Sequence, residues 1–203
     1  MSRVAFKLSV PVFFVVVLLA VSQLAQASFG FGWIGAAFLA FLAADLFVGF
    51  VHFLADNFGR LDSPFGRTFL LRFRHHHKEP GELVEEPLSE VVGPSLLFTV
   101  PVLVLALLIA PSPLFLWFAL VFTVVGGWAN LVHRWAHLEC PPFPVRFLQQ
   151  AGVLMDAEQH QKHHDIPNTH YCVIAGWFDD YVLRKGWPDK VRAYLADLGL
   201  PQG

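Results

Sequence analysis

Ten histidines in this sequence of 203 residues fall into four groups separated by long stretches without histidine. The groups are His52; His75, His76 and His77; His133 and His137; and His160, His163 and His164, with His170 close behind. Imidazole binds zinc, copper, iron and nickel, so the residue type alone does not select the metal. Nine or so candidate ligands are too many for one ion, because a tetrahedral zinc site uses four. Eight imidazole nitrogens would suit two ions. The set therefore predicts two metal ions with open coordination positions.

The spacing within the groups suits helices that present several rings to one side. His133 and His137 lie one helical turn apart, so both rings can reach one cation. In the segment His160-Gln-Lys-His163-His164, the three histidines line one side if the segment is helical. The triplet differs, because three consecutive side chains cannot point the same way. At most two residues of the triplet are expected to bind.

Acidic and small residues accompany the first histidine. Asp45, Gly49, His52 and Asp56 are spaced to fall within a stripe of about 60° on one helix face. A charged residue inside an apolar helix is costly and is a functional candidate by default. Asp56 lies one turn after His52, where it is either a ligand itself or orients one. Gly49 leaves room for a close approach.

Other polar residues lie near the later histidines. Asn130 shares a helix face with His133, and Asp156 lies one turn before His160, where it could accept the second N–H of that ring. Both are therefore expected around the ligands or among them. Arg134 occupies the position where a zinc protease of the HExxH type carries its glutamate, so that function lacks its general base.

The elements that must position these residues are apolar. All Lys, Arg, Asp and Glu lie within residues 1–7, 45–90 and 134–203. A helix needs about 20 apolar residues to cross a bilayer, and each uncharged gap is roughly twice that length. A polar turn at 22–28 and the prolines at 111–113 divide the gaps. Four spans are predicted, at about 8–24, 30–55, 94–110 and 114–137, with the third being short.

Composition and charge support a membrane protein. The chain is 55% hydrophobic and 15% charged, whereas soluble domains carry about 25% charged residues. A net charge of −2 offers no basic field for nucleic acid. We predict a single all-α integral membrane domain over residues 1–203. Its helical cap, at 56–90 and 138–203, would carry the histidine-rich two-metal site, with interfacial helices at about 70–74 and 143–164.

The distribution of positive charge predicts the orientation. All 14 Lys and Arg residues lie in the N-terminus, the 56–90 segment and the C-terminal region, so these parts and the site are expected to be cytoplasmic. Arg3, Lys7 and Ala25-Gln26-Ala27 also fit a cleavable signal peptide. Cleavage would place the histidine groups on opposite sides of the membrane, so an uncleaved helix is the favoured interpretation.

The four histidine segments together resemble the lipid desaturase domain of the plasmanylethanolamine desaturase family. The matching stretches are Gly49–Gly59, Phe73–Pro80, Asn130–His137 and His160–Pro167, continuing to Tyr171-Cys172 and Gly176-Trp177. The combination is specific, whereas any one stretch alone is weak.

The resemblance implies a ligand set. The iron ligands of the family fall on His52, His76, His77, His133, His137, His160, His163 and His164, and its essential aspartate falls on Asp56. His75 departs from the family pattern, which often has an acidic residue there, and is not expected to bind. His170 falls at a variable position and is left out.

The resemblance also implies an O₂-dependent desaturase with two iron ions that acts on a membrane phospholipid. The best-known members form the vinyl ether of plasmalogens from an alkyl ether lipid, and a plant plastid branch desaturates an acyl chain. The sequence has no haem, flavin or CxxC motif, so a cytochrome b5-like or ferredoxin-like electron donor is expected. Arg60, Arg67, Arg72 and Arg74 are candidate donor-docking or phosphate contacts, or ordinary membrane anchors.

Several alternatives remain open at this point. An acyl-chain desaturase or a lipid hydroxylase could use the same site. A membrane metal-binding or transport protein needs ligands along a path through the bilayer, whereas only Asp45 is predicted at depth. A bis-histidine haem protein needs paired rings facing each other across a bundle.

Near the C-terminus, Val191, Tyr194, Leu195 and Leu198 predict an amphipathic helix that packs against the cap.

Overall fold

The computed structural model describes residues 3–109, 111–166 and 168–201, and every secondary-structure element of substantial length within them is helical. The helices are α1 (Arg3–Leu24), α2 (Phe31–Asn57), α3 (Leu71–His76), α4 (Glu82–Glu85), α5 (Leu88–Ile109), α6 (Pro113–Gly127), α7 (Ala129–Ala136), α8 (Phe143–Gln150), α9 (Ala157–Asp165), α10 (Asp179–Arg184) and α11 (Trp187–Asp197). A π-helical turn, Gly66–Leu70, leads directly into α3. The prediction of an all-α protein is confirmed.

Four helical stretches are long and apolar enough to cross a membrane. They are Val4–Leu24, Phe31–Asn57, Leu88–Ile109 and Pro113–Ala136. The third is not the short span expected from the sequence, because α5 begins at Leu88 and has 22 residues. Glu90 does not end the helix: it lies in the first turn, where a carboxylate interacts favourably with the helix dipole.

The first of two compact units, here the apolar unit, comprises the described residues of Ser2–Phe47 and Pro87–Asn130. Its helices approach closely at glycines: a Cβ atom on Gly93 would lie 2.5 Å from the Cβ of Phe6. Thr123 Oγ1 donates to the backbone oxygen of Thr99 at 3.1 Å, so a buried hydroxyl is satisfied between helices.

The second unit, here the histidine unit, comprises the described residues of Val48–Glu86 and Leu131–Gly203. The single interfacial helix predicted over 143–164 is instead two helices, α8 and α9. Gly152 has a φ of +68° in the connection, a conformation that ends a helix readily. Asp156 then starts α9, because its Oδ1 accepts a hydrogen bond from Gln159 N at 2.8 Å.

Candidate metal centre

Nine side chains of the histidine unit form two tight clusters of metal-ligand atoms. The five-imidazole group consists of His76, His133, His137, His160 and His164. The aspartate group consists of His52, Asp56, His77 and His163. Within each group the ligand atoms all lie within 4.8 Å of one another. The structure thus brings together the eight histidines and the aspartate that the sequence singled out.

The five-imidazole group has the spacing of ligands around a shared cation. Its Nε2–Nε2 distances are 2.8 Å for His133–His160, 2.9 Å for His137–His160, 3.0 Å for His160–His164 and 3.1 Å for His76–His137. A neutral imidazole has one donor and one acceptor nitrogen, so one Nε2 cannot satisfy three facing Nε2 atoms by hydrogen bonding. Nitrogens about 2.1 Å from one metal ion and at right angles lie about 3.0 Å apart. The observed distances fit that arrangement.

In the aspartate group, three imidazoles surround one carboxylate. Oδ2 of Asp56 lies 3.1 Å from His77 Nε2, 3.3 Å from His52 Nε2 and 3.5 Å from His163 Nε2. Oδ1 of Asp56 is buried and has no hydrogen-bond partner within the described residues. A buried carboxylate oxygen without a partner is costly. A bound cation would satisfy it, so the residues present fit a metal ion here as well.

Helix geometry distributes neighbouring histidines between the two groups. The HxxHH segment is helical as predicted. On α9, however, His160 and His164 belong to the five-imidazole group and His163 belongs to the aspartate group. Likewise α3 ends at His76, and the next residue, His77, joins the other group. His75 belongs to neither: it is 47% exposed, and its Nε2 lies 3.2 Å from Glu82 Oε2.

Two backbone carbonyls orient rings of the aspartate group. Nδ1 of His52 donates to the backbone oxygen of Tyr171 at 3.2 Å, and Nδ1 of His163 donates to that of Thr169 at 2.6 Å. A proton on Nδ1 leaves the Nε2 lone pair free for a metal. Gly49 permits this arrangement, because a Cβ there would lie 2.8 Å from the Sγ of Cys172. The expected close approach at Gly49 is therefore made by the chain itself.

The loop that carries these carbonyls has an unusual backbone. Asn168 and His170 adopt positive φ angles of 72° and 53°, a conformation that asparagine tolerates better than most residues. The Tyr171 hydroxyl accepts from Asn57 Nδ2 at 2.9 Å and donates to Asn168 Oδ1 at 3.2 Å. Burial raises the pKa of Tyr171 to about 12, so the hydroxyl keeps its proton. The sequence did not single out Thr169 or the role of Tyr171.

Three polar candidates lie outside both groups. The predicted bond between Asp156 and the His160 ring is wrong, because Asp156 caps α9 and Nδ1 of His160 has no hydrogen-bond partner within the described residues. Asn130 Nδ2 donates to the backbone oxygen of Val91 at 3.1 Å. Asp45 is buried at 1% exposure, in the apolar unit. Asp156 and Asn130 thus bond to backbone groups rather than to the candidate ligands.

Burial keeps four imidazoles of the five-imidazole group neutral. Loss of solvent, reinforced by the neighbouring imidazoles, lowers the pKa of His76 to about 2 and that of His164 to about 4. Burial lowers the pKa of His137 to about 4 and holds that of His160 well below its usual range. The neutral ring is the form that binds a metal. The group is therefore ready to accept a cation at neutral pH.

Several of the arginines stabilise the histidine unit from within. Arg74 donates to the backbone oxygens of Ala55 at 3.1 Å and Phe58 at 2.7 Å, satisfying carbonyls at the end of α2. Arg72 pairs with Glu86. Arg60 remains exposed at 70% and pairs with Asp62 at 2.6 Å. These contacts favour a structural role for Arg72 and Arg74 over donor docking.

The sequence matches the family profile described as lipid desaturase domain over residues 41–187, which include all nine residues of the two groups. The chain is 32% identical to the plasmanylethanolamine desaturase of Myxococcus xanthus over 152 residues, covering 72% of this chain and 54% of the relative. It is 33% identical to plasmanylethanolamine desaturase 1 of Mus musculus over 150 residues, covering 68% and 55%.

The chain is also 31% identical to the chloroplastic fatty acid desaturase 4 of Arabidopsis thaliana over 148 residues, covering 70% of this chain and 45% of that relative. It spans about half the length of the curated relatives it matches. No solved structure matches it. The resemblance carried by the four histidine segments is confirmed, and the chain belongs to the lipid desaturase domain family.

Proposed function

We propose that this protein is a membrane-bound lipid desaturase that uses two iron ions and O₂ to form a carbon–carbon double bond in a phospholipid. The observation that carries the proposal is the division of nine ligand side chains into two adjacent groups. The groups are neighbours within one unit, since the ring centroids of His163 and His164 are 5.8 Å apart and those of His52 and His133 are 6.0 Å apart.

The chemistry of desaturation favours iron over zinc in these groups. Lipid chains offer unactivated C–H bonds, and zinc has no redox chemistry. Bound iron would supply the oxidising power for removing two hydrogens from adjacent carbons. The balance is R–CH₂–CH₂–R′ plus O₂, two electrons and two protons, giving R–CH=CH–R′ and two water molecules. The electrons would come from a cytochrome b5-like or ferredoxin-like donor.

The residues of this chain would prepare that reaction by holding ligands and excluding water. The carbonyl contacts of His52 and His163 keep both Nε2 atoms turned toward Asp56. His52, His133, His160 and His163 are all buried, at 5% exposure or less. A dry site limits the escape of reactive intermediates.

We further propose that the termini, the 56–90 segment and the site face the cytoplasm. The support is the distribution of Lys and Arg, which are missing from both predicted outer turns. A site at this membrane face suits a substrate whose reacting carbons lie near the headgroup. The external electron donor would dock from the same side.

An alkyl ether phospholipid is the proposed substrate, and its vinyl ether is the proposed product. The names of the relatives from Myxococcus xanthus and Mus musculus support this choice. Acyl-chain desaturation is the second candidate, because a relative from Arabidopsis thaliana is named as a fatty acid desaturase.

Lipid analysis in cells that lack plasmalogens tests the proposal. Cells supplied with an alkylglycerol would express the wild-type chain or His164→Ala, and their lipid extracts would be compared by mass spectrometry. We expect an acid-labile product that lacks two hydrogens, formed only with the wild-type chain. A new acyl double bond would support the second candidate, and a product that gains oxygen would indicate a hydroxylase.

Metal analysis of the purified protein provides an independent test. We expect about two irons per chain, since each ligand group would hold one ion. A protein that contains one zinc and no iron would contradict the proposed chemistry, even if its histidine unit were intact.

A further inference from the structure

The C-terminal helix α11 packs behind the aspartate group, although it lies almost entirely beyond the family match, which ends at residue 187. Its Val191 and Leu195 pack against a buried cluster formed by Phe53, Phe58 and Tyr171. These three aromatic residues are only 5–6% exposed. One face of α11 therefore covers a small hydrophobic core behind the aspartate group.

Tyr171 connects this core to two ligands of the aspartate group. Its ring centroid lies 5.7 Å from that of His52 and 5.2 Å from that of His163. Its backbone oxygen also accepts the hydrogen bond from His52 Nδ1 at 3.2 Å. A displacement of Tyr171 would thus release both a ring contact and the bond that fixes the tautomer of His52.

Two further contacts tie the C-terminal region to the same place. The backbone N–H of Gly59, just after α2, donates to the backbone oxygen of Pro201 at 2.9 Å. On α11 itself, Nε and Nη2 of Arg192 are buried without a hydrogen-bond partner within the described residues, and the charge of Arg192 acts to lower the pKa of Tyr171, against the larger effect of burial. The end of α2, the Tyr171 loop and α11 are therefore connected at several points.

We propose that α11, with the tail to Pro201, is a positioning element for the aspartate group: it holds Tyr171 in place, and Tyr171 holds His52 and His163. This inference rests on the proposed function, because it concerns how one of the two ions is retained. Outer contacts that orient a ligand typically change metal affinity by 10–100-fold when they are removed.

A pair of double variants in the C-terminal segment tests the inference. Val191→Ser with Leu195→Ser removes the face that packs on the cluster. Tyr194→Ser with Leu198→Ser likewise replaces two large side chains by serine, one on α11 and one directly after it, where they are 64% and 62% exposed. Both are made in the full chain, purified with its iron in detergent, and release of ferrous iron to a chromogenic chelator is followed over time.

We expect the inner double variant to release one of its two ions at least about tenfold faster than wild type, with the second ion unchanged. The outer double variant should release both ions at wild-type rates. Release of both ions from the inner variant at wild-type rates would overturn the inference. Equal acceleration of both ions would also overturn it, because α11 would then be a general stabiliser.

Leu195→Ala decides the matter if the inner double variant aggregates. It trims the packing of α11 on the cluster and leaves Tyr171 and its hydroxyl bonds to Asn57 and Asn168 unchanged. Selective acceleration of one ion is again expected, and wild-type release of both would overturn the inference. Wild-type protein that binds no iron would overturn the proposed function too, whereas two firmly bound ions in every variant would overturn this inference alone.

Discussion

The two ligand groups share two segments of chain and differ in the other two. The helices α3 and α9, with the residue that follows α3, contribute to both groups. The end of α2 serves only the aspartate group, through His52 and Asp56, and the region of α7 serves only the five-imidazole group, through His133 and His137. The shared segments keep the groups adjacent, and the unshared segments make them chemically different.

The first difference is charge. Five neutral imidazoles carry no charge, whereas three imidazoles and a carboxylate carry one negative charge. With a divalent ion in each group, the aspartate group would keep a net charge of about +1 and the five-imidazole group about +2. Charge in a buried site affects both the affinity for an ion and its redox behaviour. The two ions are therefore expected to be inequivalent.

The second difference is how the ligands are held. In the aspartate group, backbone carbonyls accept hydrogen bonds from Nδ1 of His52 and of His163. In the five-imidazole group, the central ring, His160, has no hydrogen-bond partner for its Nδ1 within the described residues. The aspartate group thus depends on charge and orientation, and the five-imidazole group on the number of its ligands.

Among the variants that test the difference between the two groups, Asp56→Asn should produce the largest change in iron content and product formation. It keeps the side-chain volume but removes the only negative charge of its group. Breaking one partner of a buried charge interaction costs about 3–5 kcal/mol, which corresponds to at least about a hundredfold weaker ion binding. We expect the purified variant to hold about one iron instead of two and to form no product, measured by metal analysis and lipid analysis.

Asp62→Asn is the matched control, because Asp62 is 65% exposed and belongs to neither group. It should retain two irons and normal product formation. Two firmly bound irons in Asp56→Asn would show that the carboxylate is not a ligand.

His137→Ala should separate iron content from turnover in the five-imidazole group. Four imidazoles would remain, which is enough to coordinate one ion. We therefore expect iron content above one per chain, while desaturation falls at least about a hundredfold because the ion is displaced from its productive geometry. His164→Ala should behave alike. Normal turnover in either variant would remove that residue from the ligand set.

The proximity of several candidate ligands could be predicted from the sequence because their geometry is local. His52 and Asp56 lie one turn apart on α2, and His160 and His164 lie one turn apart on α9, so spacing alone places the members of each pair together. The four apolar helices were predictable for a similar reason, because the hydrophobic length of a span is a property of the segment itself.

The contacts that orient the ligands could not be predicted, because they use backbone carbonyls. Every residue has a carbonyl, so Thr169 and Tyr171 carry no side-chain signal of their role. Only Gly49 gave a hint, since it marked a close approach without showing which segment approaches. The role predicted for Asp156 was wrong because its carboxylate caps the start of α9, where it accepts a hydrogen bond from Gln159 N.

The three consecutive residues His75, His76 and His77 test the assignment of ligands, because the first is expected to matter little for turnover. His75→Ala should change turnover by less than about twofold, because the His75 side chain is half exposed, pairs with Glu82 and belongs to neither ligand group. His76→Ala and His77→Ala should each abolish product, the first by altering the five-imidazole group and the second by altering the aspartate group.

Metal analysis distinguishes the two inactive variants of the triplet. His76→Ala leaves four ligands in its group and should keep more iron than His77→Ala, which leaves three. Complete loss of activity in His75→Ala would mean that the wrong pair of the triplet had been assigned as ligands.

Acidification should have the smallest effect, and it reports on the five-imidazole group of the metal-free protein. Burial lowers the pKa of His76 to about 2 and those of His137 and His164 to about 4, from an ordinary value of 6.5. Below pH 6.5 the unfolded chain therefore binds more protons than the folded chain, and the free energy of unfolding falls as the pH decreases toward 4.

This stabilising contribution of the neutral rings is fully present above pH 6.5. We expect the apparent Tm of metal-free protein in detergent to fall by at least about 2 °C between about pH 7.5 and about pH 5.5. His137→Ala removes one of the responsible rings, so the metal-free variant should show a shallower decrease. An apparent Tm that rises on acidification would mean that charged imidazoles are favoured in the fold, contrary to their burial among one another.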